Sequence, residues 1–393
     1  MNPTPLGPVT AGIPANLRTP RIRSKASSRA RPAASTEFSF RLKPRDIARH
    51  LDRFVIGQRE AKKVLGVALC DHFQHVRLTL EGQPAPFYQK QNVLLLGPTG
   101  VGKTHLIRSA ADLIGVPFVK ADATKFSETG YVGADVDDLV RDLIRRAGGD
   151  IQRASHGIIY LDEVDKLAGS GESSGRDVSG RGVQTNLLKL LEDGDVPVLS
   201  PNDVTGQLQS AMSAARGNTP GQPDTISTRH ILFIASGAFV GIDDHIRARL
   251  QSPTLSPEKC QARLATADLV RFGLEPEFVG RLPVRVACHG LDADDLFAVL
   301  SRSESSLLHQ YERSFAAYGI RLTITAPALR RLAVLAEQEH TGARGLMSVL
   351  EKTFRDLKFQ APSTKVRSLE ITEDFLDDPA RATRSLLARK TSR

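Results

Sequence analysis

Residues 93–104 constrain the fold of this chain more than any other stretch. Four apolar residues predict a buried strand, and the segment from Gly97 to Thr104 then matches the G-x-x-x-x-G-K-[ST] spacing of a phosphate-binding loop. Residues 105–114 carry apolar side chains at helical spacing, so strand, loop and helix come in the order that such a loop requires. The stretch therefore predicts an α/β fold built around a nucleotide site.

Each residue type in this loop has a physical task. Glycines let backbone N–H groups turn toward phosphate oxygens, and the N-terminus of the following helix adds a partial positive charge. We expect Lys103 to neutralise the β- and γ-phosphates and Thr104 to ligate Mg²⁺. The residues expected to bind the nucleotide are Gly97, Pro98, Thr99, Gly100, Val101, Gly102, Lys103, Thr104 and the adjoining His105.

A second apolar strand ends in two carboxylates, Asp162 and Glu163, about 60 residues after the loop. Phosphoryl transfer needs one carboxylate at a strand end to hold the magnesium and its water shell, and a second to orient or deprotonate the attacking water. Asp162 suits the first role and Glu163 the second. An isolated Asp-Glu pair is more commonly a turn or a helix cap, but its place after a phosphate loop favours the catalytic interpretation.

Two short stretches offer apolar side chains whose burial the local pattern leaves open. Val55 and Ile56 lie in a hook ahead of the nucleotide-binding strand, where they either pack on an adenine base or, the commoner case, belong to the core. Tyr131 and Val132 stand between two glycines, which favours an exposed tip. Because an aromatic residue in a turn is more often packed than functional, the second stretch is weak evidence when taken alone.

The pattern of the chain changes near residue 290. Strands and helices precede this point, together with a polar insertion at 197–228, whereas helices predominate after it. We predict a disordered basic tail at 1–39, a large nucleotide-binding domain at 40–289, a smaller, mostly helical domain at 290–376 and a basic C-terminal tail at 377–393.

The N-terminal segment concentrates positive charge. Before Glu37 it holds six Lys and Arg residues and no acidic one, among many Pro, Ser and Ala. Such a composition cannot bury enough apolar surface to become ordered. It fits a solvated tail, a segment attracted to nucleic acid or acidic surfaces, or an organellar transit peptide. The transit peptide would place the protein in an organelle matrix rather than the cytoplasm.

Cysteine spacing and hydropathy exclude several classes. No apolar run approaches the ~20 residues that a membrane span requires, so we expect a soluble protein with no membrane partner. Cys70, Cys260 and Cys288 are far apart and form no C-x-x-C pair. They support neither a disulfide framework nor a zinc module, and they favour a reducing, cytoplasmic location.

Taken in order, the motifs resemble those of the ClpX/HslU branch of the AAA+ ATPases, and most of all the ClpX type of hexameric protein unfoldase. They are the phosphate loop, Asp162-Glu163, Gly-Tyr-Val-Gly at 130–133, Gly-Arg-Leu-Pro around Arg281 and Gly-Ala-Arg-Gly around Arg344. The resemblance covers about residues 40–371. It implies a parallel sheet flanked by helices, followed by a small, mostly helical α/β lid domain.

The resemblance also implies roles for residues that patterns alone leave open. Arg281 would be an arginine finger that reaches the γ-phosphate bound by a neighbouring subunit. Arg344 would be a sensor that ties the small domain to nucleotide in its own subunit. Arginine suits both roles because its planar fork stays charged and bonds phosphate oxygens bidentately. Catalysis would then depend on Glu163, Asp162, Lys103, Arg281 and Arg344, with Val55, Ile56 and Arg344 also contacting the nucleotide.

Two segments would line a central pore and grip polypeptide, as the resemblance implies. Tyr131 and Val132 form the first pore loop, and Arg176 and Val178 belong to the second. The family grips by bulk, which requires no particular substrate sequence. We therefore expect an ATP- and Mg²⁺-dependent homo-hexamer that threads protein substrates.

The chain departs from the ClpX pattern in two places. The basic tail stands where ClpX has a four-cysteine zinc domain, so no zinc is expected. Residues 247–256 lack the Ile-Gly-Phe type of tripeptide by which ClpX docks on the ClpP peptidase. The chain is accordingly expected to act either as the ATPase subunit of a Clp protease or as a remodeller that needs no peptidase.

A nucleic-acid motor is the alternative from another functional class. The net charge of +9 and the two basic tails suggest it. Against it, the cations cluster in the tails, and no reading helix or stacking platform is recognisable. The protein unfoldase is therefore the favoured prediction.

Overall fold

The core of the large domain is a five-stranded parallel sheet. The computed structural model describes residues 38–85, 87–126, 134–169, 178–199 and 225–391. The sheet order is β2-β3-β6-β1-β7, and each neighbouring pair is parallel. Its strands are β1 (Val93–Leu96), β2 (Phe118–Asp122), β3 (Ile158–Asp162), β6 (Leu232–Gly237) and β7 (Val284–Ala287).

Helices precede, connect and follow the strands of this sheet. Those before residue 200 are α1 (Pro44–Asp52), α2 (Arg59–Leu80), α3 (Lys103–Ile114), α4 (Asp138–Arg146), α5 (Ile151–Ala154) and α6 (Val178–Leu191). Those between β6 and β7 are α7 (Ile242–Leu250), α8 (Pro257–Gln261), α9 (Thr266–Phe272) and α10 (Pro276–Gly280). Short 3₁₀ helices follow β2 and β3, at Ala123–Lys125 and Val164–Leu167.

The central strands are apolar because both faces of the sheet are covered. Every residue of β1 and β6 is buried, which is the usual reason why strands of parallel sheets lack an alternating pattern. The helices α4 and α6 contribute Leu143, Leu187 and Leu190 to the same apolar cluster. The expected α/β fold with a parallel, helix-flanked sheet is thus confirmed.

A second apolar core lies in the C-terminal part of the chain. It is built by helices around a two-stranded parallel sheet, and Leu332, Leu350 and Phe354 are among its fully buried members. Its elements are α11 (Ala293–Ser301), α12 (Leu307–Ala316), β8 (Arg321–Ile324), α13 (Ala326–Gln338), α14 (Ala343–Gln360), β9 (Ser368–Ile371) and α15 (Pro379–Thr391). Two 3₁₀ turns, Ala361–Ser363 and Glu373–Leu376, flank β9.

Three segments differ in detail from the expectations. The segment 377–393, expected as a tail, contains α15, because Thr383 and Leu387 offer a buried face to the second core. In the domain expected to be mostly helical, the chain leaves the helical conformation between α11 and α12, where the Ser306 hydroxyl donates to Leu300 O at 2.7 Å and accepts from Leu308 N. The polar insertion starts and ends in an antiparallel pair, β4 (Asp195–Pro197) with β5 (Thr225–Ser227), and residues 200–224 lie outside the described part.

The helices of the described residues include none that is long and apolar enough to cross a membrane.

Histidines cluster where α2 meets the start of β6. The ring of His230 lies 5.7 Å from that of His75 and 6.2 Å from that of His156. His72 Nε2 donates to the His230 carbonyl at 3.0 Å, and its Nδ1 accepts from the Tyr88 hydroxyl at 3.0 Å. Burial, above all, lowers the pKa of His72 to about 3 and that of His230 to about 4. Both rings are therefore neutral at pH 7.

This cluster predicts acid sensitivity. Because the folded state resists protonating His72 and His230, the unfolded state binds more protons below its histidine pKa of about 6.5. Stability is therefore complete above that pH and falls as the pH drops toward 4, by up to about 1.4 kcal/mol per pH unit for each histidine. Urea unfolding at several pH values gives the free energy of unfolding as a function of pH. For His72→Gln this free energy should fall less steeply with decreasing pH than it does for wild type. The exposed His309→Gln is the matched control, and an unchanged slope for His72→Gln would contradict the assignment.

Candidate nucleotide site

The phosphate loop connects β1 to α3 and is held by contacts that exclude side chains. At Gly97, whose φ is 136°, a Cβ atom would lie 2.2 Å from the Cys288 carbonyl oxygen. At Gly100, whose φ is 79°, it would lie 2.1 Å from the Thr341 carbonyl oxygen. The left-handed backbone and these close approaches both require glycine. The loop therefore has its shape because β7 and the start of α14 lie against it.

Lys103 is the first residue of α3, and its side chain points back into the phosphate loop. Its Nζ donates to Gly97 O at 2.6 Å and to Pro98 O at 2.8 Å, and the side chain is buried. Burial is the largest influence on this amine and lowers its pKa, and the positive charge of Arg344 acts in the same direction. An anionic phosphate is the partner that such a desolvated ammonium lacks.

The metal side of the site is a connected set of oxygen groups. Thr104 Oγ1 donates to Asp162 Oδ2 at 3.4 Å and to the Tyr160 hydroxyl at 3.3 Å. Ser236 Oγ donates to Asp162 Oδ1 at 2.7 Å and lies 2.6 Å from the Tyr160 hydroxyl. Hydroxyl and carboxylate oxygens are the ligands that Mg²⁺ prefers. Thr104 and Asp162 therefore fit the ion assigned to them.

The described residues contain no cluster of three or more His, Cys, Asp or Glu side chains able to hold a metal. This suits magnesium, which is commonly held by one or two protein groups together with phosphates and water.

Lys120 is a member of the site that sequence reasoning missed. Its Nζ lies 2.8 Å from Asp162 Oδ2 and donates to Thr104 Oγ1 at 3.3 Å. Burial alone would raise the pKa of Asp162, but hydrogen bonds from Lys120 and Ser236 and the charges of Lys120 and Lys103 hold it below its ordinary value. The carboxylate is thus kept ionised for a cation. The available signal was a lysine in the middle of strand β2, between the apolar residues Val119 and Ala121.

Glu163 occupies a constrained position directly after β3. Its φ of 59° is left-handed, a conformation that costs a non-glycine residue about 1–2 kcal/mol. Its side chain is exposed, and the 3₁₀ helix Val164–Leu167 begins next to it. Strain of this kind concentrates at functional sites. The Glu163 backbone N–H donates to Asp162 Oδ1 at 3.2 Å, so the exposed Glu163 follows directly on the oxygen groups around Asp162.

The hook before α2 lies beside the loop. Val55 is buried, and its Cγ1 is 3.2 Å from where a Cβ on Gly102 would stand, whereas Ile56 is half-buried. Gln58 holds the hook against β7 through reciprocal hydrogen bonds with the His289 backbone, of 2.8 and 2.9 Å. A cavity of about 620 Å³ opens here, lined by Ala48, Asp52, Val55, Ile56, Gly57, Arg59, Lys62, Lys63 and Asp295. It is large enough for an aromatic base.

Two contacts connect the loop region with the C-terminal part. The Ala343 N–H, at the start of α14, donates to Gly100 O at 3.0 Å. His105 Nε2 lies 3.0 Å from Ser305 Oγ. Arg344 is therefore carried on the first turn of a helix that contacts the phosphate loop, and its guanidinium is exposed.

Arg281 lies at the opposite end of the sheet from the loop of its own chain. It precedes β7, in which Val284 pairs with Val93 at the start of β1, whereas the loop follows Leu96 at the end of β1. The four residues of β1 separate them by about 13 Å. The exposed guanidinium pairs with Glu192. The structure thus brings Lys103, Thr104, Asp162, Glu163 and Arg344 to one region and leaves Arg281 apart.

The residues assigned to the pore are mostly outside the described part of the chain. Tyr131, Val132 and Arg176 fall in the gaps 127–133 and 170–177. Val178 is the first residue of α6.

Comparisons with known proteins agree with this geometry. A family model described as "AAA domain (Cdc48 subfamily)" matches residues 88–285. A Methylococcus capsulatus protein named "ATP-dependent Clp protease ATP-binding subunit ClpX 3" is 40% identical over 365 residues, covering 87% of this chain and 82% of its own length. Two proteins named as the ClpX subunit, from Borrelia duttonii and Azotobacter vinelandii, are 40% and 38% identical over 344 and 341 residues. They cover 84% and 81% of this chain, and 77% and 74% of their own lengths.

Proposed function

The chain belongs to the ClpX family of AAA+ ATPases, and from that premise we propose that it assembles as a hexameric ring that threads protein substrates through a central pore. It is an ATP hydrolase of the Clp unfoldase type. The observation that supports a ring is the position of Arg281. Its side chain is exposed, and the length of β1, about 13 Å, separates it from the phosphate loop of its own chain. An arginine so placed completes a site only if a second subunit presents its loop.

The proposed division of labour follows from the site. Lys103 and the loop amides bind the β- and γ-phosphates, Asp162 and Thr104 hold the magnesium, and Glu163 orients and deprotonates the attacking water. When bound there, magnesium would supply positive charge that stabilises the negative charge of the phosphates. Arg344, carried on α14, would report the nucleotide to the small domain. We place the domain boundary near residue 290, between the two apolar cores.

Threading is tested at the predicted first pore loop. Tyr131→Ala should abolish most of the unfolding of a folded reporter while ATP turnover changes little, because the proposal assigns this side chain to gripping substrate and not to the chemistry of ATP. The reporter carries a substrate segment captured from lysate by the Glu163→Gln variant in ATP. Tyr318→Ala, at an exposed tyrosine near β8, is the matched control. Full-speed unfolding by Tyr131→Ala would refute threading and leave an ATP hydrolase.

We further propose that the ring works without a ClpP-type peptidase. The segment after β6, where the family carries its docking tripeptide, is largely solvent-accessible but is held by side-chain contacts. Arg247 Nε donates to Leu255 O at 3.0 Å, and Arg249 pairs bidentately with Asp268 at 2.7 and 2.8 Å. Cys260 in α8 is fully buried. These contacts favour a short, ordered segment over an extended docking loop.

Co-sedimentation tests the independence from a peptidase. With ATP, the Methylococcus capsulatus relative should pellet with a ClpP-type peptidase and stimulate peptide cleavage, whereas this chain should do neither. Its ATP turnover should also be unchanged by the peptidase. Robust stimulation of cleavage would overturn this part of the proposal and leave the threading function intact.

A further inference from the structure

The C-terminal end of α6 is held by a lysine that comes from another part of the chain. Lys90 Nζ donates to three backbone carbonyls, those of Leu190 at 3.1 Å, Glu192 at 2.9 Å and Thr228 at 2.8 Å. The last carbonyls of a helix have no partner within the helix. Lys90 provides that partner with a charged donor, three residues before the strand β1 that leads into the phosphate loop.

Asn92 extends this arrangement to Arg281. The side chain is 1% exposed, and its Nδ2 donates to Leu191 O at 3.1 Å and to Arg281 O at 3.0 Å. Its Oδ1 accepts from Phe233 N at 3.3 Å. One buried amide thus ties the end of α6, the strand β6 and the backbone of Arg281 together.

The guanidinium of Arg281 is held from the same side. It pairs with the carboxylate of Glu192, whose own carbonyl accepts from Lys90 and from the Thr228 hydroxyl at 2.9 Å. Arg281 is therefore fixed at its backbone by Asn92 and at its head group by Glu192. We call Lys90, Asn92 and Glu192 the finger brace.

An ordinary helix cap does not explain the brace well. Glu192 is exposed, so water could satisfy its carbonyl at little cost. The chain instead withdraws an ammonium from water, and burial is the main reason that the pKa of Lys90 falls to about 7. A neutral capping residue would avoid that penalty. Lys90 bonds the backbone of Glu192, the residue that pairs with Arg281, and Asn92 bonds the backbone of Arg281 itself.

We propose that Lys90 and Asn92 are positioning residues for Arg281, so that they set the hydrolysis rate in the neighbouring subunit without affecting nucleotide binding in their own. This rests on the proposed role of Arg281 as the finger. Because Lys90 and Asn92 lie just before β1, which leads into the phosphate loop, the brace also connects the nucleotide site of one subunit to the Arg281 that acts in the site of the next. The brace also contacts the end of α6, the helix that begins at the second predicted pore loop.

The first test separates turnover from binding. Lys90→Met and Asn92→Ala should each lower kcat by about 10- to 100-fold, the loss expected when a catalytic group is displaced by about 1 Å. The dissociation constant of a fluorescent ATP analogue, measured in the presence of Mg²⁺, should stay near that of wild type. Lys352→Met is the matched control, since Lys352 makes an exposed pair with Glu339 at 3.0 Å. Lys90→Arg, which keeps a charged donor, should recover most of the lost kcat.

The second test asks whether the loss passes through Arg281. In an Arg281→Ala background, Lys90→Met and Asn92→Ala should lower kcat no further. Full turnover by Arg281→Ala alone would refute the finger itself. If Arg281→Ala is slow but the brace variants turn over normally, or lower kcat equally in both backgrounds, the finger stands and the brace is refuted. Should Asn92→Ala melt below the assay temperature, the comparison of Lys90→Met with Lys90→Arg decides the question.

Discussion

Glu163→Gln is expected to lower ATP turnover by about 10²- to 10⁴-fold while ATP remains bound, because the amide keeps the shape of the side chain but cannot accept the proton of the attacking water. Glu163 is exposed and lies just beyond the oxygen groups around Asp162, so its replacement should leave the loop, Lys103 and Thr104 undisturbed. The nucleotide dissociation constant should therefore be close to that of wild type.

Turnover and binding must be measured on the same preparation. A coupled phosphate-release assay gives kcat, and titration with a fluorescent ATP analogue gives affinity. Glu339→Gln provides the matched control, because this carboxylate lies in the C-terminal part and pairs with Lys352. Weak binding by Glu163→Gln would show that the side chain shapes the site, and normal turnover would exclude it as the base.

Arg281→Ala is expected to lower turnover by about 10³- to 10⁵-fold, the usual effect of losing an arginine finger. Its own nucleotide site should bind normally, since Arg281 lies at the far end of β1 from the loop. Arg330→Ala, which removes an exposed arginine that pairs with Asp294 at 3.3 Å, is the control.

Mixing variants provides the stricter measurement. Rings of Arg281→Ala subunits alone and of Glu163→Gln subunits alone should both be inactive. Mixed rings should regain part of the turnover, because an Arg281→Ala subunit with an intact base will sometimes lie beside a Glu163→Gln subunit that offers an intact finger. No recovery on mixing, with mixed rings demonstrated by size, would contradict a finger that acts between subunits.

Sequence reasoning predicted the parts of the site that are continuous in the chain. The phosphate loop and the strand that ends at Asp162 can each be recognised within about ten residues, because the chemistry of each is local, whereas Arg344 was assigned only through the family resemblance. The parallel sheet could likewise be inferred from apolar strands separated by helices.

The remaining parts depend on neighbours that no local pattern identifies. Lys120 meets Asp162 only because β2 pairs with β3, and in that register Lys120 lies beside Tyr160. Lys90 and Asn92 reach α6 across about 100 residues of sequence. The helix α15 was missed because its charged residues outweigh the few buried ones, such as Leu387, that dock it on the second core.

The contact between Gly100 and the turn at Thr341 has a consequence for mechanics. Two backbones meet there without intervening side chains, so a movement of the phosphate loop as phosphate is released would be passed directly to the start of α14. The C-terminal part would then move as a rigid body, and the contact between Gly100 and the start of α14 would determine the size of that movement. Substitutions farther along α14 would then change what the C-terminal part contacts without changing how far it moves.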